Sequence, residues 1–351
     1  EAMTRAPLCL GTYPTPLERL LVTRDGRGEL WLKDDGLTNP VYGGNKVRKL
    51  EHLLAEARAR HCRRLLTFGA AGSHHAYATS VFGLRYGFDV RAVLFPQPWS
   101  AHAEQMLRLT LASGADCVAS PAGPSAIPRV LRAWGRKTFV IPPGGSSRVG
   151  VRGYIAAADE LCEQLQERGL EGFDELVVSS GSGGTAAGLV VGLAARGAPT
   201  RLVAAPVAEP AWGMRVLLHE LVRRNGLRHG GTVSVDSRHT GRAYGHASPG
   251  GRQSAVYSEK IGLTTDPTYT AKAFATALSR LDPGWMAGTA ADPVFFPADR
   301  LEREGPTDER HRKFRVLYWH TLAAPTGAAL QPMHLWTSPL PTDFQRLLIR
   351  V

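Results

Sequence analysis

Residues 175–189, Glu175-Leu176-Val177-Val178-Ser179-Ser180-Gly181-Ser182-Gly183-Gly184-Thr185-Ala186-Ala187-Gly188-Leu189, pass from a short apolar run through a glycine-rich turn straight into a helical pattern. A strand that feeds a helix in this way is half of a βαβ unit, and the arrangement recurs along the chain. Candidate strands fall at 65–68, 91–95, 138–141, 175–179, 202–207 and 315–319. Between them, apolar residues at three- and four-residue spacing predict helices near 74–86, 101–113, 150–168, 184–196, 212–224 and 270–281. The alternation predicts an α/β protein with a doubly wound, parallel layout. In such sheets ligands gather at the carboxyl ends of strands, so chemistry is expected in the loops that follow strands. Two stretches break the pattern: 282–312, rich in Pro, Gly and charge, reads as a long loop that is functional or mobile, and the apolar run 344–351 as a short docking helix.

At 351 residues, 43% hydrophobic and 21% charged, the chain is long enough for two α/β domains or one large one. No apolar run approaches the roughly 20 residues that a bilayer crossing needs, and the first residues lack the basic-then-apolar order of a secretory signal. A soluble, cytoplasmic protein without a membrane partner is expected. Cys9, Cys62, Cys117 and Cys162 are scattered with no CxxC pair, which speaks against a disulfide framework or a zinc site. The formal net charge is +11, but the arginines are spread along the whole chain rather than gathered into a tract, so no nucleic-acid partner is expected. An acidic small-molecule substrate would still be drawn to such a surface.

The turn Gly181-Ser182-Gly183-Gly184-Thr185 offers bare backbone N–H groups at the positive end of a helix, which together bind a phosphate. It lacks the lysine of a nucleotide P-loop, and no acidic residue follows at dinucleotide-fingerprint spacing. A single phosphomonoester, held by amides and the Thr185 hydroxyl, fits. The alternative is a turn kept glycine-rich only for tight helix–strand packing.

A second junction, Gly69-Ala70-Ala71-Gly72-Ser73-His74-His75-Ala76-Tyr77-Ala78, brings a hydroxyl and two imidazoles to the start of another helix. Adjacent histidines cannot share a helix face as i,i+4 metal ligands would, and no carboxylate lies nearby, so no metal is expected. The plain alternative makes Ser73 an N-cap and His74 an exposed polar residue.

Upstream, Tyr42-Gly43-Gly44-Asn45-Lys46-Val47-Arg48-Lys49-Leu50-Glu51 sets Lys46 behind a Gly-Gly turn and ahead of an amphipathic run. Lysine is scarce among the 42 basic residues, so a lysine placed in a turn is less interchangeable with other surface charge. An imine with an aldehyde requires lysine, because a guanidinium stays protonated. Otherwise Lys46 is a solvated loop residue.

An imine-forming lysine, a phosphate-binding turn and a hydroxyl-bearing loop, expected at the crest of one parallel sheet, are together what pyridoxal 5′-phosphate requires. With these motifs, and with Thr12-Tyr13-Pro14-Thr15-Pro16-Leu17, Lys33-Asp34-Asp35 and Tyr318-Trp319-His320-Thr321, the chain resembles the fold-type II pyridoxal-phosphate enzymes. The likeness is to the group of 1-aminocyclopropane-1-carboxylate deaminase and D-cysteine desulfhydrase.

The resemblance implies a tryptophan synthase β-like fold of two open, mostly parallel α/β domains. Residues 1–50 and 150–351 would form the large cofactor-binding domain, with 51–149 as a small α/β domain inserted in it. Lys46 is implied as Schiff-base lysine and proton shuttle, with Asn45 and His74 as further cofactor contacts. Ser73 falls where the family has a serine that touches the substrate carboxylate, and Gly181, Ser182, Gly183, Gly184 and Thr185 match the phosphate cup. Tyr244 and Tyr269 match two active-site tyrosines, one of them flanking the pyridine ring; Thr321 is similar in position to a residue near the pyridine nitrogen. A homodimer acting in amino acid metabolism on a small amino acid is implied too.

After Tyr269 the deaminase branch is expected to carry a Glu that keeps the pyridine nitrogen protonated. This chain has Thr270, a neutral cofactor contact, which suits β-elimination of a good leaving group. The expected activity is a D-cysteine desulfhydrase-like elimination to a 2-oxo acid and ammonia. The chain departs from the family where Ser-Asn-His becomes Ser73-His74-His75, the asparagine being the expected partner of the cofactor's phenolic oxygen. It departs again where His-Thr-Gly-Gly becomes His320-Thr321-Leu322-Ala323, and where the loop Tyr244-Gly245-His246-Ala247-Ser248-Pro249 is stretched. These changes keep two alternatives open: replacement or cyclopropane-type chemistry on an unusual amino acid in a specialised pathway, and a non-catalytic descendant that binds the cofactor.

Overall fold

The computed structural model describes residues 6–120, 125, 128, 137–208, 210–226, 233–285, 295–298, 312–323 and 338–349. The chain divides into two compact units, each on its own sheet: a first of Glu1–Thr12, Thr38–Gly153 and Ala323–Val351, and a second of Tyr13–Leu37 and Tyr154–Leu322. The second unit begins with an antiparallel pair, β1 (Leu17–Thr23) and β2 (Gly28–Asp34). The chain then builds the first unit through α1 (Lys46–Ala59), β3 (Arg64–Ala70), α2 (His74–Arg85), β4 (Asp89–Phe95), β5 (Gln97–Pro98), α3 (Ala101–Ala112), β6 (Asp116–Ala119) and β7 (Thr138–Ile141). After α4 (Arg152–Glu167) it returns to the second unit with β8 (Glu175–Ser180), α5 (Gly184–Ala195), β9 (Arg201–Pro206), α6 (Ala211–Arg224) and β10 (Val233–Val235). That unit closes with α7 (Pro249–Lys260), α8 (Thr270–Leu281), β11 (Phe295–Pro297) and β12 (Phe314–His320), before α9 (Thr342–Gln345) and β13 (Leu348–Ile349) rejoin the first.

In the first unit four parallel strands run in the order β6-β4-β3-β7; in the second, seven run β10-β9-β8-β12-β2-β1-β11. Within that larger sheet β8, β9, β10, β12 and β2 pair in parallel, and β1 runs against its neighbours. Successive βα steps wind outward from β3 through β4 to β6, and β7 then adds on the other side of β3. The same reversal occurs in the second unit between β8 and β12. Each sheet therefore has one switch point where the loops at the carboxyl ends part and leave room for a ligand. The loop before Ser73 leaves β3, and the turn at Gly181 leaves β8. The two junctions that the sequence placed on the crest of one sheet thus belong to two sheets, because alternation reveals strands but not which strands pair.

Residues 38–50, assigned by the resemblance to the large domain, lie with the first unit. The helix α1 runs unbroken from Lys46, and its Val47, Leu50 and Leu54 share a core with Leu65, Phe82 and Ile141. In the second unit Val177, Val203, Val316 and Tyr318 of the sheet pack with Ala273, Phe274, Ala277 and Leu278 of α8. All six residues of β8 are buried, as expected of a central parallel strand covered on both faces.

Every strand and helix of the alternating pattern is present, with bounds shifted by at most two residues. The helix α7 was not anticipated, because Pro249-Gly250-Gly251 reads as a turn; yet proline fits the first helical position, and the Ser248 hydroxyl caps the helix by accepting the Gly251 N–H at 3.0 Å. The expected tail helix at 344–351 is instead the short α9 followed by β13, which pairs in parallel with β5. Its Leu340 and Leu347 are buried with Ala71, Ala76 and Leu107. Of the expected loop 282–312, the described part includes β11, paired with β1; residues 286–294 and 299–311 lie outside the described residues. Among the described residues no helix is long and apolar enough to cross a membrane.

Candidate active site

Within the first unit, Gly44 takes φ +82°, a left-handed conformation that favours glycine, and turns the chain into α1. Lys46 follows as the first helical residue, half-buried, with its Nζ donating to Asn45 Oδ1 at 2.8 Å. One turn on, Lys49 is 2% exposed and donates through Nζ to the Gly144 carbonyl at 3.1 Å, in the loop after β7. Burial, and then the charge of Lys46, hold its amine well below the ordinary lysine range. The sequence reading passed over this second amine, although its i,i+3 spacing from Lys46 was the available signal.

Ser73 caps α2: its Oγ accepts the Ala76 N–H at 3.2 Å, so the N-cap reading holds. Accepting that bond leaves the hydroxyl proton to donate. A Cβ at Gly69 would lie 2.4 Å from Ser73 Oγ, so only glycine fits behind the serine. His74 is not merely an exposed polar residue, because its Nδ1 meets the Tyr42 hydroxyl and its Nε2 lies 2.8 Å from His102 Nε2. His75 is 4% exposed, and neither ring nitrogen has a hydrogen-bond partner. Burial, then the charges of Lys46 and Lys49, keep it neutral by lowering its pKa well below the usual histidine range.

Within the second unit, Gly183 caps α5 at φ +72°, and a Cβ at Gly181 would lie 2.9 Å from Tyr269 Cε1. Ser180, at the end of β8, is 2% exposed, and its Oγ has no hydrogen-bond partner. An orphaned buried hydroxyl at the end of β8, next to the N-terminus of α5, fits a phosphate, as does the buried Thr185 in the first turn of α5. Ser182 and Gly184 complete the turn.

The hydroxyls of Tyr244 and Tyr269 are 2.7 Å apart, with their rings edge to face. Burial pushes the Tyr244 phenol up to about 12, so it holds its proton at neutral pH. The segment that carries Tyr269 is fixed by Asp266, whose carboxylate accepts the N–H groups of Thr268, Tyr269 and Thr270. It also accepts the Thr270 hydroxyl at 2.6 Å, which commits the only hydroxyl proton at that position. Thr321 Oγ1 lies 2.9 Å from Ser179 Oγ, linking the crests of β12 and β8. The structure thus joins Lys46 to Asn45, Tyr244 to Tyr269 and Thr321 to its neighbouring strand. Missed by sequence reasoning were Lys49, His102, Ser180 and Asp266. Among the described residues, no group of three or more His, Cys, Asp or Glu side chains is set to hold a metal.

The family model for pyridoxal-phosphate dependent enzymes matches residues 8–288, and the chain belongs to that family. It is 33% identical over 280 residues to a putative 1-aminocyclopropane-1-carboxylate deaminase of Pyrococcus furiosus, covering 75% of this chain and 83% of that protein. It is also 33% identical over 348 residues to the D-cysteine desulfhydrase of Salmonella newport, covering 94% of this chain and 98% of that protein. A crystal structure of a 1-aminocyclopropane-1-carboxylate deaminase homologue superimposes with a TM-score of 0.72 at 26% identity, over 92% of this chain and 93% of the other. The chain is therefore a pyridoxal-phosphate enzyme of fold type II, in the deaminase and D-cysteine desulfhydrase group.

Proposed function

We propose that the enzyme eliminates the β-substituent of a small amino acid in the manner of a D-cysteine desulfhydrase, leaving a 2-oxo acid and ammonia. When bound, pyridoxal phosphate supplies an electron sink that acidifies the substrate's Cα–H. Lys46 would hold the cofactor's aldehyde carbon, and its Nζ would take the substrate's Cα proton. The Ser73 hydroxyl, already accepting from Ala76, donates its proton to the substrate carboxylate. The turn 181–185 and the Ser180 hydroxyl would hold the phosphate, and the Tyr244 phenol, protonated and hydrogen-bonded to Tyr269, would serve as donor to the departing group.

The observation that carries this reading is Thr270. No carboxylate stands at that position, and its hydroxyl proton is given to Asp266, so the residue supplies no acid to a ring nitrogen. An electron sink weakened in this way serves loss of a good leaving group better than opening of a three-membered ring. The 94% coverage by a desulfhydrase supports the same choice. The test is release of 2-oxo acid from D-cysteine and β-chloroalanine by the purified holoenzyme. Turnover only with 1-aminocyclopropane-1-carboxylate, or only with an added nucleophile, would reject elimination. Bound cofactor without turnover of any amino acid would reject catalysis.

A further inference from the structure

We propose that Tyr42, His74 and His102 form a proton relay between the crest of the first unit's sheet and solvent, with His102 as its outer, positioning member. His74 directly follows Ser73 and opens α2, where the family resemblance implies an asparagine. Both of its ring nitrogens are engaged, Nδ1 with the Tyr42 hydroxyl and Nε2 with His102 Nε2 at 2.8 Å. Tyr42 is 0% exposed and is braced edge-on by Tyr77, with ring centroids 4.8 Å apart. His74 and His102 are both half-buried, the latter at the second position of α3. The path therefore runs from a hydroxyl that solvent does not reach to an imidazole that it does.

An N–H···N bond between two imidazoles carries one proton, so in the neutral pair the rings are opposite tautomers at Nε2. When Tyr42 donates to His74 Nδ1, His74 donates from Nε2 to His102. Moving each proton along its own bond leaves a tyrosinate and an imidazolium on His102, with no other bond changed. The reverse shift, from His102 Nε2–H to His74 and from His74 Nδ1–H to the Tyr42 oxygen, restores the neutral state. An asparagine at 74 is a fixed donor, because its amide neither gains nor loses a proton near neutral pH. Histidine at 74 makes that place exchangeable, and His102 supplies the second base that the exchange needs. The proposal deepens the reading of the enzyme as one that moves a Cα proton, and rests on that reading only for the use made of the relay.

Two measurements test it. In protein labelled with 15N-histidine, long-range NMR correlations are expected to show opposite tautomers for the two rings and a scalar coupling between their Nε2 atoms across the hydrogen bond. Like tautomers or no coupling would overturn the relay, whatever the substrate. In the holoenzyme in D2O, exchange of an amino acid's Cα–H is expected to slow roughly tenfold in both His102→Gly and His102→Gln. Added imidazole is expected to restore the rate in the glycine variant alone, while the cofactor's visible band stays unchanged in both. An unchanged rate, or slowing that imidazole does not relieve, would overturn the role of His102. Should the parent enzyme exchange no amino acid at all, the proposed function falls, and the coupling still decides whether the relay exists.

Discussion

The crest of the first unit's sheet is lined mainly by amines and imidazoles, and that of the second mainly by backbone amides and hydroxyls. Lys46, Lys49, His74, His75 and His102 stand on the first; the glycine-rich turn at 181–184, the hydroxyls of Ser180, Thr185 and Thr321, and Tyr244, whose phenol burial pushes up to about 12, stand on the second. A phosphate needs donors whose state does not vary with pH, whereas breaking a C–H bond needs bases. The proposed phosphate turn keeps the pattern that the resemblance implies, while the first crest departs from it at His74. On the proposed reading, a departure there would alter what is done with a proton and leave cofactor capture alone.

The largest effect expected from this contrast is at Lys46. Lys46→Ala and Lys46→Arg are both expected to lose the visible band of bound cofactor and at least about 1,000-fold of turnover, since a guanidinium forms no imine. Absorption spectra and 2-oxo acid release check this. A retained band would move the imine-forming role to Lys49. On the other crest, Gly181→Ala drives a methyl to 2.9 Å from Tyr269, and roughly tenfold to 100-fold weaker cofactor binding is expected, about 1.4–2.7 kcal/mol. Titration of the cofactor-free protein measures it, and unchanged affinity would place the phosphate elsewhere.

Acid sharpens the comparison from both sides. His320 in the second unit titrates near 4 because burial disfavours its charge, against 6.5 in an unfolded chain. The native state therefore binds fewer protons between those values. The stability His320 contributes is present above pH 6.5 and lost as pH falls to about 4, roughly 3 kcal/mol in all. His75 in the first unit shifts in the same direction and begins to cost stability over the same fall. Denaturant midpoints of the cofactor-free protein at pH 7 and 4.5 should drop less in His320→Gln than in the parent; equal drops would show that this ring is not held neutral. The smallest effect is at Ser73, where Ser73→Ala should cost about 1 kcal/mol through the lost cap and raise KM more than it lowers kcat, as steady-state kinetics would show.

Much of this was legible in local sequence. The strands β3, β4, β7, β8, β9 and β12 are short apolar runs bounded by turns, α3, α4, α6 and α8 carry an apolar stripe, and α5 is small and apolar on nearly every face because it is buried, so burial wrote these elements directly into residue order. Lys46, Ser73 and the turn at Gly181 were legible for the same reason, since each pairs a residue type with a backbone geometry set by its neighbours. What could not be read depends on distant partners. His102 matters because a ring 28 positions away meets it, and Ser180 because nothing meets it. The β1–β2 pair went unseen because β2 is buried almost throughout and shows no alternation of period two. The residue pattern set both junctions on one crest, where the family resemblance implied two domains, because strand order is decided by pairing.

The brace behind the Ser73 loop has a bearing on how the chain is made. Gln97 holds Gly72 through its side chain and takes the Leu347 carbonyl on its N–H, while Leu340 and Leu347 close the core over Ala71. A ribosome delivers those leucines only after the whole of Tyr154–Leu322 has been synthesised. The unit whose four-stranded sheet is synthesised before β8 is thus the one completed last, and a nascent chain stopped at residue 322 would carry the whole of the second unit and a first still lacking the segment that covers Ala71.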